Sequence, residues 1–113
     1  MELISIEIDK LSANYELKDD GLFLLNPPDN FILDVQVRIH PESKTDLNGL
    51  YQSSGNYCTQ CEAMGFRKIT YYLDRPDVLS VFTTTITANR DNYPVLLSNG
   101  NLVNETSTQD IWH

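Results

Sequence analysis

The chain has 113 residues, 41% of them hydrophobic and 10% aromatic, which suits one folded domain with a core of its own and excludes a disordered tract. Acidic residues outnumber basic ones 16 to 8, and they are spread along the chain as a solvated surface. That balance argues against nucleic acid, whose phosphates need clustered Lys and Arg, and against an anionic membrane surface; no apolar run approaches the length of a spanning helix.

From the start, Ile4, Ile6 and Ile8 alternate with Ser5, Glu7 and Asp9, which predicts a half-buried strand over Glu2 to Asp9. Tyr15-Glu16-Leu17 and Leu22-Phe23-Leu24-Leu25 flank Lys18-Asp19-Asp20-Gly21, and Asp-Gly between extended runs predicts a hairpin. After Asn26-Pro27-Pro28-Asp29, the alternation of Phe31, Leu33, Val35, Val37 and Ile39 is the longest strand signal, ended by Pro41. Glu42 to Gly49 is polar loop. Leu50-Tyr51-Gln52 suits a short strand and Ser53-Ser54-Gly55-Asn56 a turn.

Thr59 followed by Glu62 has the spacing of a capping box, so a helix of one or two turns is expected from Gln60, limited by Gly65. Ile69 to Leu73 reads as buried, and Asp74-Arg75-Pro76-Asp77 as a tight turn. Val81 to Asn89 reads as a second long strand, Ser98-Asn99-Gly100-Asn101 as an Asn-Gly hairpin between Val95-Leu96-Leu97 and Leu102-Val103, and Gln109 to Trp112 as a further strand that stops at His113 as if cut. The fold class expected is mainly antiparallel β with one short helix near 60–68.

Cys58-x-x-Cys61 is the first chemical motif. A redox pair sits near a βαβ pattern, and a structural zinc site needs about four ligands; only His40 and His113 stand beside the cysteines as soft donors. Packing of Cys61 as a small hydrophobe is the plainer expectation, although a thiol near a helix N-terminus gains some reactivity. Asp74 and Asp77 form a carboxylate pair that reads better as turn capping plus a salt bridge to Arg75 than as acid–base chemistry. Arg67-Lys68 reads as solvated, and Tyr71, Tyr72 and Trp112 as core. Gln60 differs in kind: an uncharged carboxamide cannot transfer protons, but its oxygen accepts a hydrogen bond from an ammonium or amide N–H. Met1-Glu2-Leu3-Ile4 lacks the layout of a signal peptide, so a reducing cytoplasm is expected, where the Asn104-Glu105-Thr106 acceptor pattern would be idle.

Several runs resemble the bacterial aminopeptidase N family: Leu50 to Gly55, Cys58-Thr59-Gln60-Cys61-Glu62-Ala63 with Gly65-Phe66-Arg67, Ile69 to Val78, and Tyr93 to Asn101. Members are multi-domain zinc exopeptidases several times longer than this chain. The resemblance implies that residues 1–113 form a single β domain within the N-terminal domain of such an enzyme, a twisted saddle-like sheet or sandwich lying over the catalytic domain. It implies a substrate-binding role for Gln60, helping to hold the free α-amino end and first side chain of a peptide. Cys58, Cys61 and Glu62 are implied only as neighbours that shape the loop. The family's His-Glu-x-x-His zinc motif and Gly-x-Met-Glu-Asn signature are absent from these residues, so catalytic residues and bound zinc are expected in the parent and not here. The alternatives are a free-standing β-sandwich interaction module and a small redox or metal protein.

Overall fold

A computed structural model describes residues 1–113. It divides into two compact units, Met1–Val78 and Leu79–His113. Every sheet pairing is antiparallel, as the sequence predicts.

The first unit carries β1 (Glu2–Ile8), β2 (Leu11–Ser12), β3 (Tyr15–Lys18), β4 (Gly21–Leu24), β5 (Leu33–Arg38), β6 (Gly49–Ser53) and β7 (Asn56–Gln60). Two single 3-10 turns, Pro41–Ser43 and Phe66–Lys68, complete it. The strands make a sheet in the order β2-β1-β5 and two hairpins, β3-β4 and β6-β7. The β1–β2 connection is Asp9-Lys10, with φ of 52° and 67°, and the β6–β7 connection is Ser54-Gly55, with φ of 51° and 83°. Paired left-handed residues give the twist that a two-residue hairpin requires. Asp9 also ties its turn to the approach of β5: its N–H donates to the Ile32 carbonyl at 2.9 Å, and its carboxylate accepts the Ile32 N–H at 3.0 Å.

Several local expectations are corrected. In β1, Leu3 stands opposite Val37 and Ser5 opposite Gln36, so Ile4 is the extra residue of a bulge. Residues directly opposite share a face. Leu3, Ile6 and Ile8 therefore meet Val37, Val35 and Leu33, while Ile4 is pushed out to 43% exposure. In β3–β4, Lys18 pairs with Gly21, so Asp19-Asp20 make the turn and Gly21 heads the next strand.

The helix expected from Gln60 does not form. Asn56 to Gln60 instead make five ladder pairs with Gly49 to Ser53, and Thr59, the expected cap, stands opposite Leu50. A hairpin closed by its own two-residue turn outcompetes a cap that satisfies only a pair of N–H groups. The helical turn appears later, at Phe66–Lys68.

The second unit is a sheet in the order β8 (Thr84–Thr87), β10 (Gln109–Trp112), β9 (Leu102–Glu105). The expected strand over Val81 to Asn89 is cut to Thr84–Thr87, because β10 offers only four partners. Asn99-Gly100 does not close a hairpin and Val95 to Leu97 is not strand. The chain turns back later, at Thr106, whose hydroxyl donates to the Gln109 carbonyl at 2.9 Å and accepts the N–H groups of Thr108 and Gln109. That side-chain-built turn sets the β9–β10 register. Asp110, 4% exposed, faces the Arg90 guanidinium, which also donates to the Thr106 and Pro94 carbonyls at 3.3 and 3.4 Å.

Each unit has a thin core: Ile6 is the buried hydrophobic of the first and Trp112 of the second, each 5% exposed. Tyr71 is half-buried, Tyr72 packs edge-on against Phe66 with ring centroids 5.1 Å apart, and Leu73, expected inside, is 70% exposed. In the second unit Leu79, Val81, Val95 and Leu97 are exposed as well.

Candidate functional site

Gln60 is the last residue of β7, opposite Gly49, and its exposed carboxamide makes no hydrogen bond within the chain. Beyond it the backbone turns back on itself, the Gly65 N–H donating to the Cys61 carbonyl at 2.7 Å. The Glu62–Ala63 peptide inside this loop is cis.

Two glycines let the loop lie close against the hairpin. A Cβ on Gly65 would fall 2.8 Å from both the Gln60 carbonyl oxygen and the Cys61 Cα, and would also collide with Asn48 Oδ1. A Cβ on Gly49 would fall 2.6 Å from the Lys68 Cβ. Asn48 Oδ1, at the junction, is buried and accepts no hydrogen bond.

The far end of the loop is held by Arg67. Its N–H and Nε donate to Asp74 Oδ2 at 3.0 and 3.1 Å, and its Nη2 donates to the Asp74 carbonyl at 2.8 Å. The Asp74 side chain is 12% exposed. The Arg67 N–H, and after it the Arg67 side chain, hold the Asp74 carboxyl below the usual carboxylate range, against partial desolvation acting the other way.

These contacts settle the other candidates. Asp74 is committed to Arg67, and Asp77 pairs with Arg75 at 3.3 Å, so the two carboxylates do not act together. His40 Nδ1 lies 3.3 Å from Glu42 at the surface. Cys58 and Cys61 are free thiols. Cys58 belongs to a strand, and no helix N-terminus stands at Cys61 to draw its proton off. Burial, with the Asp74 charge adding to it, pushes the Cys61 thiol up, the opposite of a reactive cysteine. No group of three or more His, Cys, Asp or Glu side chains is gathered to hold a metal ion. The donor set here does not fit zinc.

Two features escaped the sequence reading. Arg67, expected to be solvated, is locked to a residue seven positions away, a spacing with no periodic signature. Glu62, expected to cap a helix, is exposed and carries no ion pair. It leaves a negative charge on the same loop as the Gln60 amide, and the absence of that helix is what frees it.

Residues 5–113 match the family described as the Peptidase M1 N-terminal domain. The chain is 50% identical to aminopeptidase N of Escherichia coli (strain K12) over 104 residues, 91% of this chain and 12% of that protein. It is 47% identical to aminopeptidase N of Caulobacter vibrioides over 106 residues, covering 91% of this chain and 12% of the relative. Among solved structures, Legionella pneumophila aminopeptidase A in complex with aspartic acid superposes with a TM-score of 0.89 at 36% identity, over 98% of this chain and 14% of that one. The chain therefore spans about an eighth of the length of the curated relatives it matches.

Proposed function

The chain belongs to the Peptidase M1 N-terminal domain family, and from that premise we propose that it is part of a cytoplasmic zinc metallo-aminopeptidase, supplying substrate-recognition surface while the catalytic centre and its zinc lie elsewhere in the parent. Gln60 accepts a hydrogen bond from the α-amino end of the peptide. The observation that carries this reading is the open Gln60 carboxamide, unpartnered at the rim of a braced loop, in a chain half identical to an aminopeptidase N. A neutral acceptor two residues along the chain from the exposed Glu62 carboxylate suits an ammonium in sign as well as in hydrogen bonding.

The intended partner of the remaining surface is the catalytic domain of the parent. A folded monomer of 12.9 kDa exposes roughly 6,300 Å² by the usual size scaling, and two separate globules of these unit sizes about 7,500 Å². The chain exposes 8785 Å². Leu73 in the first unit, and Leu79, Val81, Val95 and Leu97 in the second, are all at least 69% exposed, which suits units that are each covered by another part of the same protein. A free-standing β-sandwich module would leave that apolar area in water. The free thiols Cys58 and Cys61 suit the reducing cytoplasm.

Steady-state kinetics of Gln60→Ala in the intact enzyme test the assignment. Losing a hydrogen bond to a charged group costs about 1.5–3 kcal/mol, or roughly ten- to a hundredfold in kcat/KM, carried mainly by KM. A kcat/KM equal to that of the unmodified enzyme refutes the role of Gln60.

A further inference from the structure

Building on the recognition role of Gln60, we propose that Arg67 and Asp74 are positioning residues for amine-end recognition, their fork fixing the loop whose rim presents the Gln60 carboxamide. The loop has two anchors. One is the ladder, where Gln60 pairs with Gly49. The other is the fork, in which three donors of Arg67 converge on Asp74.

Between the anchors the path is short and stiff. Arg67 lies two residues from Gly65, Gly65 donates to the Cys61 carbonyl, and Gly65 abuts the Gln60 carbonyl oxygen with no room for a Cβ. A shift at Arg67 is thus passed through Gly65 to the backbone that carries the Gln60 side chain. The fork does not close over an apolar core. Arg67 is half exposed, and the neighbours Leu73 and Arg75 are exposed. Neither residue belongs to a strand, so its loss removes no ladder hydrogen bond. What the fork holds is the course of 61–66. An Arg guanidinium sharing one carboxylate and one carbonyl constrains orientation as well as distance, which a lysine ammonium does not reproduce.

The test is a double-mutant cycle in the full-length parent enzyme, reading KM and kcat separately on alanine p-nitroanilide for the unmodified enzyme, Gln60→Ala, Asp74→Ala and the double variant. Asp74→Ala is expected to raise KM roughly three- to tenfold with kcat within about twofold, and the double variant to be no worse than Gln60→Ala alone, because both changes remove the same contact. Asp74→Asn, which keeps an acceptor oxygen, restores most of the loss. Arg67→Lys shows a smaller KM rise that also vanishes in the Gln60→Ala background, and it carries the same comparison where Asp74→Ala does not accumulate folded. Losses that multiply, a fall in kcat matching the rise in KM, or an unchanged KM in Asp74→Ala beside a raised KM in Gln60→Ala each overturn the positioning role while leaving Gln60 in place. A silent Gln60→Ala overturns the recognition reading itself.

Discussion

Gly65→Ala isolates the effect of space at the candidate site. Gly65 has φ -92° and ψ -13°, a conformation open to any residue, so backbone strain does not contribute. The new methyl would sit 2.8 Å from the Gln60 carbonyl oxygen and the Cys61 Cα, and both are backbone atoms that move only with β7 or the loop. Overpacking of this kind costs about 1–3 kcal/mol. Gly55→Ala supplies the complement: φ is +83° and nothing lies within 4 Å, so it pays only for the left-handed backbone, about 1 kcal/mol. Gly49→Ala carries both penalties, with φ +74° and the Lys68 Cβ 2.6 Å away, and is expected to cost about 2–5 kcal/mol. Native-state hydrogen exchange of the β6–β7 amides in the intact enzyme reads these values directly, 1–3 kcal/mol appearing as roughly 5- to 150-fold faster exchange. The order Gly55→Ala, Gly65→Ala, Gly49→Ala is expected. Unchanged exchange in Gly65→Ala would show that the loop has room the geometry denies, and the coupling of Gly65 to Gln60 would fall with it.

Three further outcomes are expected. Asp110→Ala leaves the Arg90 guanidinium beside a void in the second unit and costs about 3–5 kcal/mol, read as lost amide protection along β8 and β10; the paired change Asp110→Leu with Arg90→Met recovers most of it, and a single-variant cost below about 1 kcal/mol refutes the burial argument. The folded Asp74 carboxyl titrates below its ordinary value, so its contribution to stability is complete above the unfolded carboxylate range of about 4 and is lost as pH falls through the depressed value. An acid-unfolding profile with the same limb in Asp74→Asn contradicts this. Cys61, its thiol pushed up by burial and by the Asp74 charge, alkylates more slowly at pH 8 than an unstructured cysteine, and Asp74→Asn speeds it; mass-resolved labelling of each thiol reports the rate.

The strands with period-two patterns were legible from sequence, and so was their antiparallel class. What escaped was set by partners remote in the chain. The Ile4 bulge follows from pairing with Val37 and Gln36, which no local pattern encodes. The Thr59–Glu62 spacing is a genuine capping signal, overridden because Leu50 claims Thr59 for a ladder. The Asn99-Gly100 hairpin signal lost to the Thr106 hydroxyl, which builds its own turn a few residues later. At the site, sequence singled out Gln60 through a family resemblance, and its exposure is visible only in the structure. The Arg67–Asp74 fork had no sequence signal at all, since it depends on how the loop returns.

The strand order of the second sheet has a consequence for biosynthesis. Its middle strand, Gln109–Trp112, is made after both outer ones. On the ribosome, Thr84–Thr87 and Leu102–Glu105 emerge as two ribbons with no hydrogen-bonding mate between them. At elongation rates of roughly 5–20 residues per second, the first ribbon waits roughly one to five seconds for the strand that joins them. Through that interval its backbone N–H and C=O groups lack their ladder partners, a window in which a chaperone, or a second nascent chain, can reach them first.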